Sequence, residues 1–548
     1  MKNSSSQGIS AVWLIFAWLI VFAAPASAFN FKVAGVKGAL DTDLTYGLQY
    51  RTEDAAAENT SAYGNRELYP DRGDIFSNQV RASVTLALEF GENYGALIRG
   101  NSFFDFEAND ADLRGKAKDE LESQNNLTDA YVYGYFGDNQ QVTVRLGKQV
   151  ISWGENTFLQ GSLNDINTVN LSSLRQPGRQ LKDAFVGTNA FYVTYNFLEN
   201  WTLEGFYLLD FDPVELDPMG SVWATLDGAA IGGGKDKDGD GVLDGSCVSI
   251  DGRPCDLFGG GLTRISDNQA SKGGQFGLAL RRFIPGLFNG TEVAFYYQNL
   301  HDHGPIVSGY QGTGQYFLDY AEDIERYGAS FNTNIGGWAM GGEYSFRNGA
   351  PMQLTSPLVA SLNIPPNQGP GLGSYQKGFI ELNRHQVQFT FQRVWGVVHA
   401  IGADGSMTLA EVAYGWIDNL PADKTNLFEV YAGPNKVGDV TNNFTTFQIL
   451  QNVSYNAALF NLIEVSPFIA YKWDIDGFSQ ELGAGKLFVE DRQALTLGVN
   501  FGYQGGRYKG GISWTTFSGR NNERNAAGGR LNGRIDRDFV AISIGASF

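Results

Sequence analysis

Hydrophobic and polar residues alternate strictly along the final stretch of the chain. One set of alternate positions is apolar, and the other is small or polar apart from its first member. The apolar set is Val540, Ile542, Ile544, Ala546 and Phe548, and the other set is Phe539, Ala541, Ser543, Gly545 and Ser547. A period of two places successive side chains on opposite faces of a β-strand. The pattern therefore predicts a closing strand with one oily face.

The same alternation recurs in other segments. The apolar sets are Val80, Ala82, Val84, Leu86, Leu88 and Phe90; Phe276, Leu278 and Leu280; Val387, Phe389 and Phe391; and Leu495, Leu497, Val499, Phe501 and Tyr503. Strands of about ten residues are long enough to cross a bilayer at a tilt. Charges cost free energy when they face lipid and little when they face a wet lumen. We therefore expect the apolar faces to point outward and the charged positions Arg81, Glu89, Arg145 and Arg281 to form the lumen wall.

Short and long connections alternate along the chain. The short turns are Phe90 to Tyr94, Phe136 to Gln141, Asn196 to Trp201, Phe283 to Thr291, Thr333 to Trp338, Tyr455 to Leu462 and Tyr503 to Arg507. The long connections are roughly 106–125, 150–187, 212–272, 301–323, 349–382, 419–442, 475–492 and 519–537. This asymmetry is typical of outer-membrane barrels, with short periplasmic turns and long extracellular loops.

These lengths predict an all-β fold, a transmembrane antiparallel β-barrel of about 18 strands that begins near Leu40, wide enough for a water-filled interior. A barrel of 16 strands results if one hairpin folds into a loop. The junction from Val394 to Ser406 is too long for a tight turn, and we expect a longer connection with a helical turn there. The 38 Phe, 25 Tyr, 10 Trp and 69 Gly suit such a barrel, and a soluble array of β-sandwiches is the competing interpretation.

The two ends of the chain indicate where the protein resides. Lys2, the apolar run from Ile9 to Ala24 and the small residues of 26–28 predict a secretory signal peptide over 1–28, cleaved before Phe29, with 29–548 forming the barrel. An uncleaved helical anchor is the alternative. A closing strand that ends on an aromatic residue resembles the signature of bacterial outer-membrane barrels. The resemblance makes Phe548 a membrane-insertion signal and implies the barrel-assembly machinery and outer-membrane lipid of a Gram-negative bacterium as partners.

The formal net charge of −19, from 40 basic and 59 acidic residues, argues against a nucleic-acid partner, because binding phosphates requires a basic surface. The chain contains no nucleophile elbow, no HExxH zinc motif and no phosphate-binding loop. We therefore predict that the protein is not an enzyme and requires no cofactor.

The connection 150–187 mixes apolar and charged residues in a way that a solvated surface loop does not need. We expect it to fold into the lumen as a constriction, with Glu155, Arg175 and Arg179 setting its field. Salt bridges that only hold the loop are the alternative role for these charges. The run from Arg145 to Val150, Trp153-Gly154-Glu155 and 174–178 resembles the hallmark of the family known as domain of unknown function 1302. The expected constriction comprises Trp153, Glu155, Asn156, Arg175, Arg179, Lys182 and Asp183.

The connection 212–272 contains an aspartate-rich motif that matches the first part of a calcium loop. The expected ligands are Asp236, Asp238, Asp240, Asp244 and the carbonyl of Val242. The motif is incomplete because Cys247 stands where a bidentate glutamate is expected, and a solvated acidic loop is the alternative. Cys247 and Cys255 are expected to form a local disulfide in an exported protein, beside a structural calcium ion, and two free thiols are the alternative.

These features together predict passage of a small molecule across the outer membrane. The family resemblance implies a hydrophobic or lipid-like cargo and cooperation with a periplasmic carrier protein and an inner-membrane exporter of the resistance-nodulation-division type. A water-filled porin for small polar or anionic solutes is one alternative. A surface-binding or structural barrel that acts through its calcium-braced loop is another.

Overall fold

The computed structural model describes residues 29–56, 68–111, 115–159, 161–171, 175–178, 185–224, 229–231, 263–354, 371–422, 440–479, 488–520 and 532–548. Within them, eighteen antiparallel strands close into one barrel. The barrel strands are β2 (Val36–Arg51), β3 (Ile75–Phe90), β4 (Tyr94–Asp105), β5 (Ser123–Phe136), β6 (Val142–Gln149), β9 (Thr188–Leu198), β10 (Trp201–Leu208), β12 (Phe276–Ile284), β13 (Thr291–Leu300), β16 (Ile324–Ile335), β17 (Trp338–Gln353), β19 (Phe379–Val394), β20 (Gly405–Ile417), β21 (Asn443–Leu459), β22 (Ile463–Asp476), β23 (Gln493–Tyr503), β24 (Tyr508–Ser518) and β25 (Phe539–Ser547).

The barrel closes where the last strand pairs with the first. β25 runs antiparallel to β2 from Arg51 opposite Phe539 to Asp43 opposite Ser547. The backbones of Thr42 and Phe548 then exchange hydrogen bonds of 3.0 and 2.8 Å. The preceding strand β1 (Phe29–Val33) continues along the same edge of β2 beyond the end of β25. The predicted barrel of about 18 strands and its closing strand are thus confirmed.

Connections differ sharply between the two ends of the barrel. One end, termed the short-turn end, carries 34–35, 91–93, 137–141, 199–200, 285–290, 336–337, 395–404, 460–462 and 504–507. The other, termed the loop end, carries 52–74, 106–122, 150–187, 209–275, 301–323, 354–378, 418–442, 477–492 and 519–538. The junction 395–404 contains the expected helical turn, a 3-10 turn at His399–Ile401.

One loop boundary differs from the prediction. The connection expected over 349–382 spans only 354–378, because β17 and β19 remain paired as far as Gln353 opposite Phe379. A register shift between Arg347 and Ala350 lets the ladder continue past Gly349, which has a φ of 89°. Such a bulge keeps the two strands paired where a strict alternation in the sequence is interrupted.

Alternate residues of every barrel strand face outward. The predicted apolar sets lie on this outer face, where Val84, Leu278, Phe389, Leu497 and Ile542 are 39–51 % exposed. Their neighbours face inward, and the ladder aligns them from strand to strand, as in Thr45 opposite Arg81 and Gly545. An exposed apolar belt around a closed barrel is the pattern that lipid stabilises.

Smaller elements lie at the loop end. Strands β11 (Thr263–Arg264), β14 (Ile306–Tyr310), β15 (Gln315–Asp319) and β18 (Tyr375–Gln376) form a small sheet, and β7 (Thr168–Val169) pairs with β8 (Phe185–Val186). Helices α1 (Phe106–Asp110) and α2 (Gly115–Glu122) follow β4. The Asp105 carboxylate caps α1 by accepting hydrogen bonds from the Glu107 and Ala108 N–H groups.

No helix among the described residues is long and apolar enough to cross a membrane.

Candidate functional site

The connection after β6 folds into the barrel instead of over it. Its described parts, 150–159, 161–171 and 175–178, are termed the lumen insert. The chain enters through Ile151, whose N–H donates to Asn167 Oδ1 at 2.8 Å while Asn167 Nδ2 donates to the Ile151 carbonyl oxygen at 2.5 Å. The Asn167 side chain therefore pairs with the backbone N–H and carbonyl groups of Ile151, which would otherwise lack partners in this irregular buried segment.

Trp153 anchors the insert against the barrel wall. Its ring is 1 % exposed and lies 4.8 Å from the ring of Phe206 and 5.7 Å from that of Tyr296, on β10 and β13. The indole Nε1–H donates to Glu204 Oε2 at 2.7 Å, and the hydroxyl of Tyr192 donates to the same oxygen at 2.6 Å. A buried indole is stable only when its N–H finds such an acceptor.

Two inward carboxylates bind the backbone of the insert. Glu343 on β17 accepts from the N–H of Glu155 at 2.6 Å and from that of Leu163 at 3.2 Å. Gly154 supplies the turn between Trp153 and Glu155 with a φ of 87°, and a Cβ there would lie 2.4 Å from Glu343 Oε2. The backbone thus approaches this carboxylate as closely as only glycine permits.

Glu411 on β20 holds the next turn in the same way. Its oxygens accept from the N–H groups of Thr157, Phe158 and Leu159 at 2.6, 2.9 and 3.1 Å, and from Thr390 Oγ1 at 2.9 Å. Charge-assisted hydrogen bonds of this kind are stronger than neutral ones. The predicted constriction residue Asn156 lies within this turn and donates from Nδ2 to the Leu159 carbonyl.

A row of three arginines supports the insert nearer the loop end. Arg326, Arg347 and Arg384 stand opposite one another in register on β16, β17 and β19. Arg347 pairs with the carboxylate of Asp165, Arg326 Nη1 donates to the Asp165 carbonyl at 3.3 Å, and Arg384 Nη1 donates to the Gly161 carbonyl at 3.2 Å. These cations bind the insert itself, so the row is a structural support.

The insert then crosses to the opposite wall. Gln49 on β2 donates from Nε2 to the Arg175 carbonyl at 2.8 Å. Arg175 pairs with Asp217, and its guanidinium lies 5.2 Å from the centre of the Trp223 ring. Pro177 is packed so closely over Gly47 that a Cβ there would lie 2.4 Å from it. Because β2 is across the barrel from β17 and β20, the insert spans the lumen.

The insert covers one part of the inner wall and leaves another open. On β17, β19 and β20, the inward residues Glu343, Gln386 and Ala413 are only 1–4 % exposed. On β24 and β25, the inward residues Ser513 and Ala541 remain half-buried. A cavity of about 350 Å³ lies between them and the insert. It is lined by Gln49, Arg175, Gln176, Pro177, Gly178, Trp223, Thr496, Ser513, Thr515, Phe517, Arg534, Phe539 and Ala541.

The residues expected in the lumen wall all occupy inward positions. Arg81 is buried at 3 % exposure against the ring of Phe103, 5.4 Å away. Glu89 lies near the short-turn end, 3.4 Å from Lys37 Nζ. Arg145 lies 4.2 Å from the centre of the Tyr192 ring.

Arg281 is the fourth of these inward residues. It forms ion pairs of 2.9 Å with both Glu204 and Glu292. Since Glu204 also accepts from the indole of Trp153, Arg281 belongs to the support of the insert.

Several expected sites lie outside the described residues. These are Arg179, Lys182 and Asp183 of the constriction, the aspartate-rich motif with Asp236, Asp238, Asp240, Val242 and Asp244, the cysteines Cys247 and Cys255, and the signal peptide 1–28. The calcium site, the disulfide and the cleavage therefore stay predictions.

Sequence reasoning did not identify the wall residues that bind the insert. Glu204 and Glu411 are the lone charged residues at inward positions of their strands, and Glu343 shares the inward face of β17 with Arg347. The inward orientation of Glu343 and Glu411 could have been deduced from the alternation along β17 and β20. Their partners could not, because the pairing of a loop backbone with a distant strand leaves no periodic signal.

Comparison with solved structures finds proteins that align with most of this chain. The chain is similar to OccAB3 of Acinetobacter baumannii, with 11 % identity and a TM-score of 0.43 over 94 % of this chain and 100 % of that one. A BenF-like porin from Pseudomonas fluorescens Pf-5 has 11 % identity and a TM-score of 0.43 over 94 % and 99 %. OpdK of Pseudomonas aeruginosa, solved with vanillate, has 9 % identity and a TM-score of 0.41 over 93 % and 98 %.

Comparison at the level of sequence gives one assignment. No curated protein matches the chain. A family model described as "Protein of unknown function (DUF1302)" matches residues 9–548, in agreement with the resemblance of the Trp153-Gly154-Glu155 region. The chain therefore belongs to the DUF1302 family.

Proposed function

We propose that this protein is an outer-membrane channel in which a small molecule passes between the lumen insert and the wall formed by β23, β24 and β25. The observation that supports this proposal is the uneven burial of the inner wall. The insert seals the side of β17 to β20, whereas Ser513 and Ala541 are only half-buried and line the cavity. A plug without a transport role would be expected to cover both sides.

The chemistry of the open side favours a wet passage. Its wall carries the hydroxyl side chains of Thr496, Ser513 and Thr515. Hydroxyl groups of this kind are solvated by water and interact weakly with a hydrocarbon chain. This polarity supports a channel for small solutes over a closed conduit for whole lipids.

The aromatic residues at the loop end qualify this preference. Trp223, Phe517 and Phe539 line the same cavity and would accommodate an apolar portion of a solute. We therefore propose small molecules with both polar and apolar parts as the cargo. Cooperation with a periplasmic carrier protein and an inner-membrane exporter stays a proposal that rests on family resemblance.

Single-channel recording in planar bilayers tests this function. We expect steady ion conductance from the purified protein. Ala541→Trp places a bulky ring on the open wall and should reduce the conductance clearly. Ile542→Trp is the matched control, because Ile542 is the next residue on β25 and faces outward with 40 % exposure.

Two results would count against the channel. Wild-type protein that inserts into the bilayer without conducting would contradict a wet passage and favour the lipid conduit or the surface-binding role. Equal conductance of the Ala541→Trp and Ile542→Trp variants would place the passage elsewhere in the barrel.

A further inference from the structure

The cavity between the lumen insert and the open wall has an unusual charge composition. Among its described lining residues, Arg175 and Arg534 are charged and no aspartate or glutamate is present. Its volume of about 350 Å³ falls in the range of small-molecule pockets, roughly 300–1,000 Å³. A cavity with two cations and no carboxylate on its surface is electrostatically suited to an anion.

Arg175 and Arg534 differ in the interactions that their guanidinium groups make. Arg175 is paired with Asp217 and stacked on Trp223. The Arg534 backbone N–H donates to Asn532 Oδ1 at 3.2 Å, but none of the described residues accepts a hydrogen bond from its guanidinium or forms an ion pair with it. The guanidinium of Arg534 therefore lines the cavity without an acceptor among the described residues.

In these surroundings, the positive charge of the Arg534 guanidinium costs free energy. Burial and the nearby guanidinium groups of Arg492 and Arg175 hold the pKa of Arg534 well below its usual range. The carboxylate of Asp217, which acts on Arg534 electrostatically, is already paired with Arg175. Arginine remains protonated in proteins, so an anion in the cavity would relieve the repulsion.

Another part of the cavity lining is aromatic. The ring of Trp223 lies 5.2 Å from that of Phe539 and 6.4 Å from that of Phe517, both in edge-to-face geometry. Below them, the hydroxyl groups of Thr496 and Thr515 satisfy each other at 2.8 Å. The apolar surface therefore lies beside the cationic group, at the loop end of the cavity.

We propose that this cavity binds a small carboxylate with an apolar body, whose oxygens pair with Arg534 while the body packs against Trp223, Phe517 and Phe539. A planar guanidinium suits the bidentate geometry of a carboxylate. This proposal rests on the proposed channel and names the class of solute it would select.

Isothermal titration calorimetry of the full-length protein in a neutral detergent tests the site. The probe is phenylpropionate, compared with its neutral isostere phenylpropanamide and with acetate, which lacks the apolar body. We expect phenylpropionate to bind most tightly, because only it satisfies both sides of the cavity. Titration requires no conductance, so a failed channel and a failed binding site give separate results.

Substitutions assign the two halves of the site. Arg534→Gln should weaken phenylpropionate roughly tenfold or more, and Arg534→Lys should retain part of the affinity because it keeps the charge. Phe517→Ala should reduce the advantage of phenylpropionate over acetate. The control is Arg282→Gln, since Arg282 lies 4.8 Å from the Trp201 ring at the other end of the barrel.

The outcomes that overturn the proposal are distinct. Equal binding of phenylpropionate and phenylpropanamide would exclude an anion site. Equal binding of phenylpropionate and acetate would exclude the apolar half. Unchanged affinity of folded Arg534→Gln protein, with the thermal transition of the wild type, would remove Arg534 from the site.

Discussion

The carboxylate of Glu343 accepts a hydrogen bond of 2.6 Å from the backbone N–H of Glu155, linking the middle of β17 to the deepest turn of the lumen insert. Its other oxygen accepts from the N–H of Leu163 at 3.2 Å. Glu411 accepts hydrogen bonds from the N–H groups of Thr157, Phe158 and Leu159. The two wall carboxylates thus satisfy five backbone N–H groups of the insert that have no partner in a strand or helix. The insert therefore depends on the wall for its conformation.

Removing Glu343 should release the insert without unfolding the barrel. Glu343→Ala leaves two buried N–H groups unpaired, at about 1–3 kcal/mol for each. The barrel ladder does not use this side chain, so only local stability should fall. Limited proteolysis should show faster cleavage within 150–171, and single-channel recording should show more frequent open-state fluctuations.

The control for this experiment is Glu464→Ala. Glu464 also occupies an inward position, on β22, but its carboxylate contacts Ser466 at 3.1 Å and not the insert. Equal protection of the insert in Glu343→Ala and wild-type protein would show that the hydrogen bonds to Glu155 and Leu163 do not hold it.

Trp153 should contribute through both its volume and its N–H. Trp153→Ala removes a fully buried ring and should destabilise the docked insert by about 3–5 kcal/mol. Trp153→Phe retains most of the packing against Phe206 but removes the donor to Glu204, for about 1 kcal/mol. Hydrogen exchange of the insert amides measures both. An equal effect of the two variants would contradict the separate roles, and Trp514→Ala on the outer face is the control.

The barrel could be predicted from the sequence because its rule is periodic. Alternation along β25 and β3 assigns each side chain to one face, and the difference between short turns and long connections orders the two ends. The boundary near Gly349 was missed because a bulge interrupts the period while the ladder continues. Strand count and facing are therefore encoded locally, even in a barrel closed by residues as distant as Thr42 and Phe548.

The site was predictable only in part. The mixture of Trp153, Glu155 and Arg175 in one loop indicates burial in the lumen, because solvated loops rarely need such residues. The pairing of Arg175 with Asp217 and the position of Arg534 in the same cavity depend on parts of two further connections, 209–275 and 519–538. These contacts join residues dozens to hundreds of positions apart, without any repeat that a sequence pattern could reveal.

Glu215 should make the loop-end packing sensitive to pH. Burial first, and the charge of Glu120 second, raise the pKa of Glu215 above its usual range. Because the folded-state pKa is the higher one, the ionised carboxylate destabilises the packed loop at neutral pH. That penalty should diminish as the pH falls through the raised pKa and vanish below the ordinary glutamate range of about 4.3.

Glu215→Gln tests this dependence. The amide retains an acceptor for Asn170 Nδ2, which donates to the Glu215 carboxylate in the wild type, and it removes the charge. Hydrogen exchange at Leu171, whose N–H donates to the Glu215 carbonyl at 3.2 Å, should slow on acidification in the wild type once intrinsic exchange is corrected. A persistent pH dependence in the Gln variant would assign it to another group.

Substitutions at Phe548 separate the predicted insertion signal from the stability of the β2–β25 pairing that closes the barrel. The residue acts in the folded barrel through its backbone, which exchanges two hydrogen bonds with Thr42. Phe548→Ala keeps both bonds, whereas deleting Phe548 removes them at about 0.5–1.5 kcal/mol each.

If the assembly machinery recognises the ring during insertion, Phe548→Ala should lower the assembled fraction but leave the thermal transition of assembled barrels unchanged. The deletion should lower both the assembled fraction and the thermal transition. Membrane fractionation and heat-modified electrophoretic mobility measure these quantities, with Phe501→Ala on the outer face of β23 as control. Normal assembly of Phe548→Ala would contradict the predicted insertion signal and leave only the backbone pairing of Phe548 with Thr42.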